Sequence, residues 1–297
     1  MLRELTIVVN CTERKSLRAT PERQVRNLPT GEIDARFAAW HSRMTTTGPA
    51  LPLRQLYQGE AWMQAKELYR DADAAGYRVS MMVASAGLGL RTAESCAPGY
   101  SATFSSGHAD SVASTPAGMC RWWHRLSGLE ASMSLVESTS SRVLLVLSAS
   151  YARAMHADLE SLGRRGGEVL LFGGGQDIEG IRRVPSDRAL RMELGGTASS
   201  LNLRMARAWI VQQDDGVLYG SGSQRRWLKW VESVRHVEAY DRTPAEDETV
   251  ISVIRAFLSV DSSLSATRAL RQFRDAGMAC EQKRFGKLFR DVKDGIR

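Results

Sequence analysis

Four short apolar segments alternate along the chain with segments of helical periodicity. The apolar segments cover residues 5–9, 77–84, 142–147 and 168–172, and each one ends in a loop of small or polar residues. Continuous apolar runs of this length are typical of strands that are buried on both faces of a sheet, and helices between them are typical of crossover connections. The pattern therefore predicts an α/β fold, with a mostly parallel sheet and flanking helices.

Three segments of the same region carry apolar residues at the spacing of a helix. These segments cover residues 60–75, 151–163 and 199–212. Residues 91–116, by contrast, are dominated by Ser, Gly, Ala and Thr, and this composition predicts a long loop. A loop of this length in a compact domain is usually functional or disordered.

The C-terminal part of the chain has a different pattern. An acidic stretch at 240–248, which contains Pro244, predicts a linker. Three short helices are predicted after it, at 247–260, 265–276 and 281–292. A helix, a short turn with a glycine and a basic helix are the outline of a helix-turn-helix module.

The sequence thus predicts two domains, an α/β domain at 1–240 and a small helical module at 241–297, and the two differ in charge. The whole chain carries a net charge of +7, and residues 265–297 contribute nine basic and four acidic side chains. A basic module on a nearly neutral body indicates attraction to a polyanion, and a solvated helical face is the alternative explanation. The side chains predicted to contact DNA are Arg268, Arg271, Arg274, Lys283, Arg284, Lys287 and Arg290.

Several classes of protein leave a signal in the sequence that this chain lacks. It has no run of about eighteen apolar residues and no N-terminal signal pattern, so we expect neither a transmembrane helix nor secretion. The four cysteines form no CxxC pair, which disfavours a structural zinc site and is typical of a reduced, cytoplasmic protein. Walker A, HExxH and GxSxG motifs are missing, as is a GxGxxG after the first strand. We therefore expect no metal or other cofactor.

The loops after the four predicted strands are the expected place for a ligand. In open parallel sheets, ligands bind beyond the carboxyl ends of the strands. We therefore expect these loops to converge on one crevice. The loop residues expected to face it are Asn10, Thr12, Arg14, Lys15, Ser85, Gly87, Ser148, Tyr151 and the segment 173–176.

The order of several short motifs resembles that of a group of small bacterial proteins. The first strand is followed by Cys-Thr-Glu-Arg-Lys at 11–15, and further similar segments lie at 56–59, 84–90 and 100–112. The resemblance covers about residues 5–212. The group is related to peroxide-stress DNA-binding proteins and to domains found beside archaeal tRNA-guanine transglycosylases. Within it, the chain is similar to an anti-phage DNA glycosylase family that excises glucosylated hydroxymethylcytosine from phage DNA.

The resemblance implies a DNA glycosylase that takes part in anti-phage defence. It implies a deep pocket for a flipped, bulky base, an abasic site as the product, and phage DNA with modified bases as the partner. Neither a membrane nor an obligate protein partner is expected. Two other functions stay open: a base-exchange transferase that acts on nucleic acid, and a non-enzymatic DNA-binding or sensor protein with a nucleobase pocket.

Cleavage of an N-glycosidic bond leaves positive charge on the sugar and negative charge on the base, so a carboxylate and hydrogen-bond donors are needed. The catalytic candidates are Asn10, whose amide can read a base edge, and the carboxylates Glu60 and Asp110. The alternatives are a turn-closing role for Asn10, a helix-dipole role for Glu60 and a helix cap for Asp110.

The remaining candidates are expected to contact the base, the sugar or a phosphate. Tyr57, Tyr100 and Phe104 are expected to stack on the extruded base or sugar, and the alternative for Cys11 is a packed thiol. The full set of substrate-binding candidates is Cys11, Thr12, Arg14, Lys15, Tyr57, Ser85, Gly87, Tyr100, Phe104, Ser148 and Tyr151.

Overall fold

The chain divides into two compact units, Met1–His236 and Val237–Arg297, and each has its own hydrophobic core. The boundary predicted after residue 240 lies within the segment 237–242, outside the described residues. The computed structural model describes residues 3–213, 217–236 and 243–295.

The first unit combines a six-stranded sheet with flanking helices, so the predicted α/β class is confirmed. Its strands are β1 (Arg3–Asn10), β2 (Leu51–Pro52), β3 (Tyr77–Ser85), β4 (Gly89–Thr92), β5 (Cys96–Ala97), β6 (Arg142–Leu147), β7 (Glu168–Gly173) and β8 (Arg182–Val184). Its helices are α1 (Ile33–Met44), α2 (Leu53–Leu56), α3 (Glu60–Ala74), α4 (Pro116–Ser127), α5 (Ala149–Ala154), α6 (His156–Arg165), α7 (Arg191–Leu194), α8 (Leu201–Val211) and α9 (Ser221–Val234).

Strand β1 occupies the centre of the sheet, whose order is β4-β3-β1-β6-β7-β8. All neighbours in this order are parallel except β4, which pairs antiparallel with β3 at the edge. Val8 of β1 pairs with Met82 on one side and with Leu145 on the other. Along the chain, β3 and β4 are added on one side of β1, and β6, β7 and β8 are added later on the other side. The strand order therefore reverses at β1. Open α/β sheets bind ligands at such a reversal.

The helices differ from the sequence-based expectation at several points. The helix predicted at 151–163 is divided at the fully buried Met155, where ψ is 10° and the helical path is interrupted. Helices α1, α4 and α9 are not predicted by the sequence pattern. In α1 the reason is a narrow apolar face, because only Phe37 and Trp40 are buried. None of the described helices has the length and apolar character needed to cross a membrane.

Two indole groups hold the turn between β3 and β4. The N–H of Trp40 donates to the carbonyl oxygen of Gly87 at 2.9 Å, and the N–H of Trp122 donates to that of Ala86 at 2.8 Å. A Cβ atom at Gly87 would lie 2.5 Å from the ring of Tyr100, so this close approach requires glycine. The turn is therefore part of the core.

Residues 243–295, the described part of the second unit, form three helices and one short parallel pair of strands. Its elements are β9 (Thr243–Pro244), α10 (Asp247–Val260), α11 (Ala266–Asp275), β10 (Met278–Ala279) and α12 (Gln282–Gly295). The three predicted helices are confirmed, and their ends differ by at most three residues from the expectation. The core contains Phe273, Phe285 and Phe289. The ring centroid of Phe285 lies 5.4 Å from that of Phe273 and 6.4 Å from that of Phe289.

We expect Gly87→Ala to lower the free energy of unfolding of the first unit by about 1–3 kcal/mol, because the added methyl group overlaps the Tyr100 ring. Gly128→Ala is the matched control, since a Cβ atom there meets its nearest neighbour at an ordinary 3.7 Å. Urea unfolding followed by tryptophan fluorescence compares the two variants. Equal stabilities would contradict the close packing of this turn.

Candidate functional site

A cleft of about 520 Å³ opens at the carboxyl ends of β1 and β6, where the strand order reverses. Its position matches the usual ligand site of open α/β sheets, and its volume lies in the usual range for small-molecule pockets. Five parts of the chain contribute to its walls: residues 10–15, 58–61, 101–108, 146–151 and 197–203.

Only two of the four loops that were expected to converge reach this cleft. The expectation is wrong for Ser85 and Gly87, because the hairpin into β4 turns that loop back into the core. It is also wrong for the segment 173–176, because β7 lies one strand further from the reversal. The predicted residues that do line the cleft are Asn10, Cys11, Thr12, Arg14, Lys15, Glu60, Ser148 and Tyr151.

Asn10 is the last residue of β1, and it lines the cleft. Its Oδ1 atom is buried and accepts no hydrogen bond from the described residues. An unpaired buried polar atom costs about 1–3 kcal/mol, so native structures contain few of them. The alternative role for Asn10, closing the turn after the strand, would give this oxygen a backbone partner. The Oδ1 atom is therefore a buried acceptor without a partner among the described residues, and it belongs to a residue of the cleft wall.

Lys15 places an ammonium group at the wall of the cleft. Its Nζ donates to the carbonyl oxygens of Thr12 at 3.0 Å and Glu13 at 3.3 Å, and it lies 4.2 Å from the centroid of the Tyr100 ring. Burial lowers the pKa of Lys15, although the charges of Cys11 and Glu13 act in the opposite direction. A poorly solvated cation in this position favours contact with a negatively charged ligand group.

The aromatic residues that were expected to stack on a base lie beneath the cleft instead. Tyr57, Tyr100 and Phe104 are buried in the core, and none of them lines the cleft. The hydroxyl of Tyr100 lies 2.6 Å from that of Tyr57 and 2.6 Å from Oγ of Ser85. Burial raises the pKa of both phenols, so they are neutral. The predicted stacking role is wrong because these rings belong to the core that supports Lys15.

The loop after β6 brings Ser148 and Tyr151 to the cleft beside Cys11. Oγ of Ser148 caps α5 and accepts a hydrogen bond from the backbone N–H of Tyr151 at 3.4 Å. The Tyr151 hydroxyl lies 3.1 Å from Sγ of Cys11, and its ring packs edge-on against Phe104 with centroids 5.0 Å apart. The Cys11 thiol is thus a partnered group in the wall, which agrees with a packed role.

Glu60 is the first residue of α3, and its 27% exposed side chain lines the cleft. Ser200 donates to Oε1 at 2.6 Å, Thr197 donates to Oε2 at 2.7 Å, and Arg204 pairs with Oε1 at 2.9 Å. Burial favours the neutral acid, but these hydrogen bonds outweigh it and lower the pKa of Glu60 to about 2. With both oxygens engaged, Glu60 is suited to supply fixed negative charge rather than to transfer a proton.

Asp110 is buried and does not line the cleft. Its carboxylate accepts hydrogen bonds from the backbone N–H of Arg26 at 3.0 Å, from the Arg26 guanidinium and from Oγ of Ser101 at 2.8 Å. Burial opposes ionisation, but these bonds lower the pKa of Asp110. The structure contradicts the predicted direct catalytic role, because the carboxylate does not reach the cleft. The alternative of a helix cap is also wrong, and Asp110 instead anchors the loop that carries Ser101.

A contact between His108 and Glu13 at the cleft was not predicted from the sequence. Nε2 of His108 lies 3.2 Å from Oε1 of Glu13, and Nδ1 accepts a hydrogen bond from the backbone N–H of Asp110 at 3.0 Å. Both residues line the cleft. Because 95 positions separate the two residues, no local pattern could have signalled their pairing.

The predicted DNA-contacting residues of the second unit fall into two groups. Arg274 donates to the carbonyl oxygen of Cys280 at 3.0 Å, and Arg284 pairs with Asp247 at 2.6 Å, so these two cations help to hold the unit together. The other five are exposed on α11 and α12: Arg268, Arg271, Lys283, Lys287 and Arg290.

No protein-family model, curated protein or solved structure matches this chain.

We expect Glu60→Gln to lower the free energy of unfolding of the first unit by about 1–2 kcal/mol at pH 7, because the amide loses the charge-assisted hydrogen bonds. Since the folded-state pKa lies below the ordinary 4.5, this stabilisation is present above pH 4.5 and is lost as the pH falls toward 2. In urea titrations, the difference in free energy of unfolding between Glu60→Gln and the wild-type protein should be smaller at pH 3 than at pH 7 by about half or more. Glu130→Gln, at an exposed glutamate outside the cleft, is the control. An equal difference at both pH values would contradict the low pKa.

Proposed function

We propose that the protein is a cytoplasmic DNA glycosylase that binds an extruded, modified base in the cleft and hydrolyses its N-glycosidic bond. The proposed substrate is glucosylated hydroxymethylcytosine in phage DNA, and the proposed role is anti-phage defence, as the motif resemblance implies. A base within a duplex has to be flipped out of the helix before it can enter such a pocket. The product is an abasic site.

The observation that carries this proposal is the unpartnered Oδ1 of Asn10 in the wall of the cleft. The exocyclic amino group of a cytosine is a donor, and an amide oxygen is its complementary acceptor. A site with a buried acceptor rejects ligands that lack the matching donor, because the acceptor then stays unpaired. Asn10 thus supports recognition of an amino-bearing base.

The other polar groups of the cleft favour a ligand that carries a sugar. Hydroxyl groups both donate and accept hydrogen bonds, so a wall rich in them is complementary to a polyhydroxylated group. A pyrimidine ring alone is much smaller than about 520 Å³, which leaves room for a glucosyl substituent. The hydroxyl-bearing residues that line the cleft are Thr12, Ser101, Thr103, Ser105, Ser148, Tyr151, Thr197 and Ser199.

The charges in the cleft match those that develop in the reaction. The oxygen of a water molecule bonds to C1′, the electron pair of the broken C1′–N bond leaves with the base, and the base takes up a proton. The Lys15 ammonium stabilises negative charge on the leaving base, and the fixed carboxylate of Glu60 stabilises positive charge on the sugar. Arg14 is exposed and lines the cleft, which supports a contact between its guanidinium and a DNA phosphate.

The test is an abasic-site assay with the purified protein, without added metal or nucleotide. Phage DNA that carries glucosylated hydroxymethylcytosine is compared with unmodified DNA, and abasic sites are measured with an aldehyde-reactive probe. We expect abasic sites on the modified DNA alone. Incorporation of a labelled free base would instead indicate base exchange, and binding without any change in the DNA would indicate a sensor; either result would overturn the proposal.

We expect Asn10→Ala to lower kcat/KM for base release about 10- to 100-fold, because one hydrogen bond to the base is lost. Asn27→Ala is the matched control, since it removes an exposed amide whose Nδ2 donates to the carbonyl oxygen of Pro21 outside the cleft. Single-turnover release of the modified base measures the effect. If both variants match the wild-type protein, Asn10 does not recognise the base.

We further propose that the second unit binds DNA through the exposed cations of α11 and α12. Lys283, Lys287 and Arg290 are spaced four and three residues apart, so they lie along one face of α12. Such a face contacts phosphates without reading the sequence, and binding through it is strongly salt-dependent.

We expect the triple variant Lys283→Gln, Lys287→Gln and Arg290→Gln to bind DNA more weakly at every sequence and to reduce the slope of log Kd against log salt by about 2–3. Fluorescence anisotropy over a range of salt concentrations measures this slope. The control neutralises three exposed cations of the first unit that do not line the cleft, which are Lys66, Arg78 and Lys229. An unchanged slope in the α12 variant would contradict the role of this face.

A further inference from the structure

The cleft wall contains two acidic side chains, Glu13 and Glu60, and their surroundings differ sharply. Both oxygens of Glu60 are engaged by groups of the protein. The side chain of Glu13 is 80% exposed, and its one hydrogen bond to the described residues is between Oε1 and His108. The Oε2 atom of Glu13 is therefore the carboxylate oxygen of this cleft that is open to water or substrate.

The contact with His108 orients the Glu13 carboxylate. The backbone N–H of Asp110 donates to Nδ1 of His108, so the neutral imidazole carries its proton on Nε2. This Nε2–H group points to Oε1 of Glu13 at 3.2 Å and donates to it. The ring is thus fixed on one side by the backbone and holds the carboxylate on the other.

The anchor of this arrangement is the buried Asp110. Its carboxylate is locked by Arg26 and Ser101, and its own backbone N–H positions the His108 ring. The sequence Gly-His-Ala-Asp at 107–110 therefore carries both the anchor and the orienting ring. Asp110 acts on the cleft through His108 and Glu13 rather than by contact with a ligand.

We propose that Glu13 is the catalytic carboxylate of the cleft and that His108 is its positioning residue. This inference rests on the proposed glycosylase function. Oε2 of Glu13 accepts a proton from the attacking water, the water oxygen forms the bond to C1′, and the electron pair of the C1′–N bond leaves with the base. The proton passes from Glu13 to the departing base or to solvent, which restores the carboxylate and balances the hydrolysis.

The division of labour between the two carboxylates follows from their contacts. A general base needs an oxygen within reach of the proton that it abstracts, and Glu60 has no oxygen without a protein partner. Glu60 instead contributes charge that does not change during the reaction. Entry of the DNA would also remove solvent from Glu13, and its interaction with positive charge on the sugar would then strengthen.

The test compares base release by Glu13→Ala, by the wild-type protein and by Glu130→Ala, an exposed glutamate outside the cleft, on phage DNA with glucosylated hydroxymethylcytosine. We expect Glu13→Ala to lower kcat at least 100-fold and to leave the Kd for this DNA within about threefold. Formate, added as a small carboxylate, should raise the kcat of Glu13→Ala at least tenfold. It should leave the kcat of the Glu130→Ala control unchanged. A residue that only supports the fold would not be rescued in this way.

The role of His108 is tested by two further variants. His108→Gln keeps an N–H donor for Glu13 and should lose less than tenfold in kcat, whereas His108→Ala should lose more than tenfold with KM unchanged. Equal losses in both variants would overturn the positioning role.

The outcomes for the two proposals are separable. Base release by Glu13→Ala at the wild-type rate would overturn the role of Glu13 and leave the glycosylase function in place. A loss in Glu13→Ala that formate does not relieve would also overturn the catalytic role. Absence of base release by the wild-type protein would overturn both proposals.

Discussion

The position of β1 between β3 and β6 is the constraint on which the site depends. All three strands are parallel, so their carboxyl ends lie at one edge of the sheet. The chain adds β3 on one side of β1 and adds β6 later on the other side, so the strand order reverses at β1. The cleft opens there, and it places Asn10, at the very end of β1, in its wall.

The core beneath the cleft supports Lys15 of the loop after β1. Lys15 lies above the buried rings of Tyr57 and Tyr100, whose hydroxyls are linked in a hydrogen-bonded chain with Ser85. The hydroxyls of this chain satisfy one another, as buried polar networks in native proteins generally do. Asn10 differs from these residues, because its buried Oδ1 accepts no hydrogen bond from the described residues although Asn10 lines the cleft.

The ionic contacts of the first unit separate the acidic residues by role. Asp110 is sealed in the protein by Arg26, Glu60 is paired at the cleft wall by Arg204, and Glu13 stays open to solvent. Residue type alone does not distinguish these three carboxylates. Their partners do, because each hydrogen bond that an oxygen accepts from the protein removes a position from which it could contact a ligand.

The sequence by itself determined the local elements and the class of the fold. The four apolar runs form parallel strands and the three C-terminal helices form where they are predicted, because burial of a continuous run or of a helical stripe depends on residues that are neighbours in the chain. The motif at 11–15 also reaches the cleft as expected.

The tertiary structure decided which other residues line the cleft and which of them contact one another. The packing of Tyr57, Tyr100 and Phe104 into the core, the sealing of Asp110 by Arg26, and the meeting of Glu13 with His108 are contacts between distant segments. Such contacts depend on how the strands are ordered and where the loops turn, and no local pattern of residues encodes that order.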